Sequence, residues 1–308
     1  MSPRVSIGLP VYNGEHFLAE TLQSLRVQTY EDLEIIIADN ASTDRTREIC
    51  EPAAAEDGRI RYFRHEANLG APANYNFTVA EAVGEYLMWN AHDDLRAPSF
   101  VERGLEVFAD RPDTAVVFSQ VLEIDAEGEL LGDRVRHDDL LEDAVHRRFR
   151  AAISSPHPSI VVFGLMRLST MRSTGQHGTY FGADRVLAAE LALRGPFAEI
   201  PEPLFFSRDH PQRYVRMANE RNQNEPSLKQ LWWDPAQRKL DRFPRWRRYA
   251  DYARAVWDHP LSTADRVRCL GGLVASLSDN GFASAKILMR ELAEAAVSVL
   301  PSPRRTSP

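Results

Sequence analysis

Three strand-like segments of this sequence run out into short polar clusters, and two of these clusters carry carboxylates. The first ends Leu9-Pro10-Val11-Tyr12-Asn13-Gly14, the second Ala38-Asp39-Asn40-Ala41-Ser42-Thr43-Asp44, and the third Asn90-Ala91-His92-Asp93-Asp94. In an open parallel sheet, ligands bind beyond the carboxyl ends of the strands, so these are the first places to look for chemistry. Carboxylates there can offer hard oxygen ligands to a divalent cation such as Mg²⁺ or Mn²⁺. A further carboxylate, Asp184, stands before Val186, Leu187, Leu191 and Leu193, the apolar residues of a helix. It can accept a proton from a reacting hydroxyl, or it can cap that helix. The structural alternative is of the same kind elsewhere: Asp93 and Asp94 as caps for a helix beginning near Pro98, Asp39 closing an Asx turn, and Asp44 as an N-cap.

Residues at strand ends need strands behind them. From Arg4 to about Gln120, short apolar runs alternate with amphipathic stretches, the mark of βα units and a mainly parallel sheet. Strands are predicted over Val5 to Leu9, Leu33 to Ala38, Ile60 to Phe63, Tyr86 to Trp89 and Ala115 to Phe118. The spacing of Leu18, Leu22 and Leu25 predicts a helix between the first two, with others over Asp44 to Ala55, Ala73 to Val83 and Pro98 to Ala109. The charged stretch from Val121 to Arg150, with Asp138, Asp139, Glu142 and Asp143 around Leu140-Leu141, reads as a surface excursion rather than core. A second ordered block follows: a strand over Ser159 to Phe163, a helix within Tyr180 to Leu193 and an extended return over Glu199 to Phe206. Beyond Pro211, Trp232, Trp233, Trp246 and Trp257 stand among many charges. Helical spacing returns at Val267, Leu270, Val274 and Leu277, then at Leu288, Leu292, Ala296 and Val299, which predicts a helical extension over 216–300. Residues 301–308 are expected to be a disordered tail.

Composition narrows the partners. With 37 basic and 44 acidic side chains the net charge is −7, which gives no general attraction to nucleic acid or anionic lipid. Cys50 and Cys269 are far apart and form no CxxC pair, which argues against a zinc knuckle or a disulfide framework and suits a reducing cytosol. Met1 to Leu9 lacks the apolar stretch of a signal peptide, and no segment reaches the roughly 18 to 20 apolar residues of a membrane span. Gly8 to Gly14 offers neither GxGxxG nor GxxxxGK[ST], which disfavours a dinucleotide-dependent dehydrogenase and a P-loop enzyme. It also lacks the Gly-rich loop with a nearby Lys expected of a nucleotidyltransferase, the competing enzyme class.

The order of these segments resembles the family 2 inverting glycosyltransferases, which have the GT-A fold. The resemblance runs through Pro10-Val11-Tyr12-Asn13, Asp39-Asn40-Ala41-Ser42-Thr43-Asp44, Asn68-Leu69-Gly70 and Asp93-Asp94 to Gly182-Ala183-Asp184, Arg194-Gly195 and Arg208-Asp209-His210-Pro211. It covers roughly Val5 to Arg213, about two thirds of the chain. The fold it implies is α/β: a Rossmann-like, mainly parallel central sheet flanked by helices, with a C-terminal helical extension. Residues 1–120 would be the donor-binding half, and 121–215 the acceptor-binding and catalytic half of the same domain.

The activity it implies is inverting transfer of a sugar from a nucleotide diphosphate donor to a hydroxyl of a glycan, lipid-linked or small-molecule acceptor, assisted by Mn²⁺ or Mg²⁺. In the resemblance Asp94 holds the metal, Asp93 takes the ribose hydroxyls, and Asp39 accepts from the imide N–H of a uracil ring. Pro10, Tyr12, Asn13 and Asn68 complete the nucleotide pocket, which favours a UDP-sugar with a dTDP-sugar as the alternative. Asp184 is the general base, His210 completes the metal shell or meets the diphosphate, and Arg213 adds a charge-assisted contact to the donor. Two positions depart from the family pattern: Ala91 replaces the first acidic residue of Asp-x-Asp, and Asn40 replaces a second Asp. Processive relatives carry Gln-x-x-Arg-Trp, whereas here Arg242 precedes Arg245-Trp246, so a single transfer is expected. His92, His157 and His177 are left as packing or acceptor-site residues. A cytoplasmic location is expected, with peripheral contact at the inner face of the membrane through the C-terminal helices as an alternative to their packing on the parent domain. A non-catalytic nucleotide-sugar binder is the alternative from outside the enzymes.

Overall fold

The computed structural model describes residues 4–132, 140–155, 158–180, 182–213, 233 and 244–279. Its centre is an eight-stranded sheet in the order β3-β2-β1-β4-β7-β6-β8-β5. Strands β1 (Val5–Val11), β2 (Leu33–Asp39), β3 (Ile60–Arg64) and β4 (Tyr86–Trp89) run parallel. β7 (Leu165–Arg167) reverses direction between β4 and β6 (Val116–Ile124), β6 pairs in parallel with β8 (Phe197–Arg208), and the short β5 (Leu95–Arg96) closes the edge antiparallel to β8.

Every residue of β1 and β2 is buried, because helices cover both faces and neither strand has a wet side. Alternate residues therefore serve opposite cores. Ile35 and Ile37 pack with α1 (Leu18–Arg26), α2 (Thr46–Glu56) and α4 (Phe100–Asp110), whereas Ile36 packs with α3 (Ala71–Glu81) and α7 (Ala183–Arg194). A side chain at Gly8 would come within 2.7 Å of the Trp89 indole, so glycine is what lets α3 and Trp89 lie close against β1.

The predicted strands and helices of the first 120 residues are all present, with ends displaced by a few residues. The second half corrects two expectations. Ser159 to Phe163 is not a strand: Pro158–Phe163 forms a 3₁₀ helix, and the ladder is taken up by Leu165–Arg167, which leads into the short α6 (Leu168–Arg172). A run rich in β-branched residues is compatible with either state, and here Gly164 settles the path, because a side chain there would sit 2.6 Å from the Val117 carbonyl. Nor is Val121 to Arg150 wholly a surface excursion. β6 continues to Ile124, Leu140 and Phe149 are fully buried, and α5 (Val145–Ser154) contributes to a third core.

That third core joins α5 and α7 to α8 (Pro244–Asp258) and α9 (Thr263–Asp279) through Phe149, Val186, Tyr252, Val256, Cys269 and Leu273. Helices α8 and α9 thus pack on the parent domain, but α9 is turned from the phase the spacing suggested. Val267 and Val274 are about two-thirds exposed, Leu270 is partly buried against this core, and Cys269, Leu273 and Ser276 are buried. Cys50 and Cys269 are both buried and unpaired. Among the described residues no helix is long and apolar enough to cross a membrane. The expected elements around Leu288 to Val299, the tail over 301–308, His157 and Trp232 lie outside the described residues.

Candidate active site

Parallel pairing brings the ends of β1, β2 and β4 to one edge of the sheet, since Val11 is in register with Asp39 and Gly8 with Trp89. The loop after β1 is tied to the loop after β2 by side chains. Asn13, in the left-handed region at φ 52°, accepts the Thr43 N–H at 2.9 Å through Oδ1 and donates its own N–H to Ser42 Oγ at 2.9 Å. Asp44 accepts from the N–H groups of Thr46 and Glu15, so it steadies the start of α2 from one residue before the N-cap, which is Arg45 rather than the expected Asp44. Asn40 donates to Asn68 Oδ1 at 2.9 Å and accepts the Leu69 N–H at 2.8 Å, which holds the turn before α3 against β2. Pro10 is buried within β1 opposite Ala38, and Tyr12 is the exposed aromatic ring at this edge.

Asp39 is fully buried, and its carboxylate accepts the Ser42 N–H at 2.8 Å, the Tyr62 hydroxyl at 2.7 Å and Arg64 Nη1 at 2.6 Å. Burial pushes its pKa up, but the bonds from Ser42, Tyr62 and Arg64 together outweigh burial and hold it below the usual carboxylate range. Asp39 is therefore ionised, and the turn-closing role is realised. Burial and the same carboxylate push the Tyr62 hydroxyl well above its ordinary value.

Beyond β4, the chain turns through Asp93 and Asp94 and meets the end of β8. Asp94 is 6% exposed, and its Oδ1 accepts the Arg208 N–H at 2.9 Å. Burial and the charge of Asp93 push its carboxyl up to about 7, against the pull of Arg213 and Arg96. Asp93 Oδ2 lies 2.9 Å from His210 Nε2. Its pKa is raised by burial and lowered more strongly by His210 and His92, leaving it below the ordinary value. The structure thus pairs His210 with Asp93, and the His210 Nδ1 is buried with no hydrogen-bond partner among the described residues. Arg213 donates to Ser207 Oγ at 2.9 Å, and its charge acts on Asp94.

Arg208, in the Arg208-Asp209-His210-Pro211 segment, has no role assigned from its sequence position. It is 1% exposed and donates to the Asp93 carbonyl at 3.0 Å, the Ala126 carbonyl at 2.9 Å and Glu20 Oε2 at 2.6 Å, over the face of Phe17. One guanidinium thereby joins α1, the acidic loop, the turn after β6 and β8. Arg208→Met removes these donors and leaves buried carbonyls unmet, so unfolding stability should fall by about 3 kcal/mol. Calorimetry that found an unchanged Tm would show the network to be dispensable. Arg96, also buried, is a second such organiser: it donates to Asn90 Oδ1 at 2.8 Å and to the Phe163 carbonyl at 2.7 Å between the rings of Phe100 and Phe205.

Asp184 sits in the first turn of α7, after Gly182 in the left-handed conformation at φ 85°. Tyr75, on α3, links it to the acidic loop: burial pushes the Tyr75 hydroxyl pKa up, and the charges of Asp93, Asp94 and Asp184 all push it further. All three carboxylates thus act on one buried hydroxyl, whereas Asp39 lies two strands away at the other side of β1. Among the described residues there is no group of three or more His, Cys, Asp or Glu side chains arranged to hold a metal ion. The chemistry of Asp94, a buried carboxylate with an elevated pKa, still suits a hard cation that takes its other ligands from phosphate oxygens and water.

A half-parallel sheet with carboxylates at its strand ends and an antiparallel continuation toward a helix-borne Asp is the GT-A arrangement of glycosyltransferases. The chain belongs to glycosyl transferase family 2, whose family model matches residues 6–166, just over half of its length. An uncharacterized glycosyltransferase of Haemophilus influenzae is 28% identical over 236 residues, covering 74% of this chain and 72% of that protein. One of Rickettsia typhi is 38% identical over 106 residues, which cover 34% of this chain and 32% of that protein. This chain thus spans about a third of the length of the Rickettsia typhi relative. Among solved structures, S. aureus TarS 1-349 in complex with UDP-GlcNAc superposes with a TM-score of 0.65 at 14% identity, covering 90% of this chain and 73% of that one. The mannosyltransferase PcManGT from Pyrobaculum calidifontis, in complex with GDP-Man and Mn²⁺, gives a TM-score of 0.51 at 18% identity, covering 99% of this chain and 83% of that one. At these identities the two structures speak for the fold.

Proposed function

We propose that this glycosyltransferase is inverting and metal-dependent, and that it moves a sugar from a nucleotide diphosphate donor to a hydroxyl of a glycan, lipid-linked or small-molecule acceptor. The observation that carries the reading is that Asp93 and Asp94, from the loop after β4, and Asp184, from the first turn of α7, all act electrostatically on the buried Tyr75 hydroxyl. A cytoplasmic location belongs to the same proposal.

In this reading Asp94, joined by His210 or not, holds Mn²⁺ or Mg²⁺ with the donor's diphosphate supplying further oxygens. When bound, the cation supplies Lewis-acid stabilisation of the charge that builds on the departing diphosphate. The chain's own residues do the rest. Asp93, oriented by His210, accepts hydrogen bonds from the ribose hydroxyls, and Arg213 adds charge-assisted contact to the diphosphate. Asp184 takes the proton of the acceptor hydroxyl as its oxygen attacks the anomeric carbon from the face opposite the diphosphate. Pro10, Tyr12, Asn13 and Asn68 line the nucleotide slot. Asp39 is assigned to the imide N–H of uracil or thymine, although its carboxylate is fully buried and already accepts three hydrogen bonds. On that assignment the donor is a UDP-sugar, with dTDP-sugar next.

The test is a thermal-shift panel of UDP, dTDP, GDP and their sugars with and without Mn²⁺. Ligand at about 100 times its Kd adds roughly 2.7 kcal/mol, so UDP with Mn²⁺ should raise Tm by several degrees, and by more than GDP does. No shift with any nucleotide, or a UDP shift indifferent to Mn²⁺, would count against the assignment. The replacement of the first acidic residue by Ala91 favours one other reading, a nucleotide-sugar binder without transfer. Release of UDP from a UDP-sugar in the presence of Mn²⁺ would exclude it.

A further inference from the structure

Asp184 has a neighbour that the transfer chemistry above leaves unused. His177 lies in the turn before α7 with its ring stacked on the Trp89 indole, 5.0 Å between centroids and 26° between planes. Tyr75 packs against the same ring at 4.9 Å and Trp233 at 5.5 Å. Trp89 is the last residue of β4, directly ahead of the loop carrying Asp93 and Asp94, and Tyr75 is the ring on which all three carboxylates act. The imidazole therefore stands at the junction between the acidic loop and the helix-borne Asp184.

Its backbone is held there firmly. The Asn76 amide donates to the His177 carbonyl at 2.9 Å and accepts the His177 N–H at 3.0 Å. Glu190, on α7, accepts the Gly175 N–H at 2.7 Å. Between them Gln176 adopts φ 55°, a left-handed conformation for a residue with a side chain, and such backbone persists where its surroundings over-determine it. These restraints aim one side chain, and that side chain is polar. His177 is 5% exposed, and its Nδ1 has no hydrogen-bond partner among the described residues. Buried polar atoms are nearly always satisfied, so one left unmet where the charge of Asp184 is felt points to a group that arrives with a ligand. Burial pushes the imidazole down to about 4, against the opposing pull of Asp184, so near neutral pH it carries one N–H and one lone pair. The two nitrogens point away from each other, and a hydroxyl can meet the unmet Nδ1 in either tautomer, as its donor or as its acceptor.

We propose that His177 is a positioning residue for the acceptor: its imidazole hydrogen-bonds a hydroxyl of a sugar-like or polyol acceptor and so turns the neighbouring hydroxyl toward Asp184. Aromatic walls with a few fixed polar groups are the usual make-up of a site that orients a small ligand. The inference rests on Asp184 as the general base, and the experiment separates the two.

UDP release from UDP-glucose and UDP-GlcNAc with Mn²⁺ is measured alone and with methyl β-glucoside, ribitol and glycerol as probes. His177→Phe fills the same aromatic cage without a nitrogen. It should keep its Tm, its UDP-induced thermal shift and its slow release to water within about twofold, and lose probe-stimulated release by about tenfold or more. His177→Gln, which restores a donor and an acceptor on a different arm, should raise the KM for the probe and recover part of kcat. Stimulated release unchanged in His177→Phe would overturn the proposal. So would equal loss of water and probe reactions at unchanged Tm, or a wild-type enzyme that none of the probes stimulates. If His177→Phe does not fold, His177→Gln decides: a lowered Tm at unchanged KM marks packing alone. Asp184→Asn that still responds to the probes would remove the base assignment and leave the His177 outcome standing on its own.

Discussion

Replacing Asp94 with Asn should abolish the Mn²⁺-dependent part of donor binding and lower turnover by about 10³-fold. The amide is a conservative change for the fold, because an Asn Oδ1 can still accept the Arg208 N–H that now meets Asp94 at 2.9 Å. What it loses is the negative charge. The native carboxyl is pushed up to about 7 by burial and by Asp93, so the site as folded holds two carboxylates at an electrostatic disadvantage that a divalent cation would reverse. Calorimetric titration with UDP, with and without Mn²⁺, reads the effect directly. If the variant binds UDP with the same metal dependence as the wild type, Asp94 is not the ligand.

Asp184→Asn should behave in the opposite way. Donor binding stays within about twofold of wild type, while transfer falls by about 10² to 10⁴, the range over which a general base contributes. The stability cost should be small. Asp184 lies in the first turn of α7, where loss of a negative charge near the helix N-terminus costs about 0.3 to 1 kcal/mol. Thermal shift with UDP and Mn²⁺, set beside UDP release with acceptor, separates the two carboxylates. Equal loss of donor binding in both variants would refute the division of labour between them.

The candidate site was partly legible because its polar clusters stand at strand ends, and strand ends are readable. The short apolar runs over Val5 to Leu9 and Leu33 to Ala38 read as strands alternating with helices, and the strands they form put Asn13 and Asp39 on one edge. Phase was harder. In α9 the repeat of Val267, Leu270 and Val274 marked one face, yet Val267 and Val274 are exposed, and the side covered by α5 and α8 is the one carrying Cys269, Leu270 and Leu273. The run before Gly164 likewise met the requirements of a strand, and it was the approach of Val117 that sent the ladder to Leu165–Arg167 instead.

Local patterning, then, was enough for the parallel core, for the carboxylates at its edge and for Asp184 at the start of a helix, since each depends on neighbours a few residues away. Partnership was not. Arg208 reaches Glu20 across 188 positions of the chain, His210 reaches Asp93 across 117, and Asn76 holds His177 across 101. A hydrogen bond leaves no periodic trace in sequence, so which buried charge is answered, and by what, emerges when the strands are in register and the loops meet.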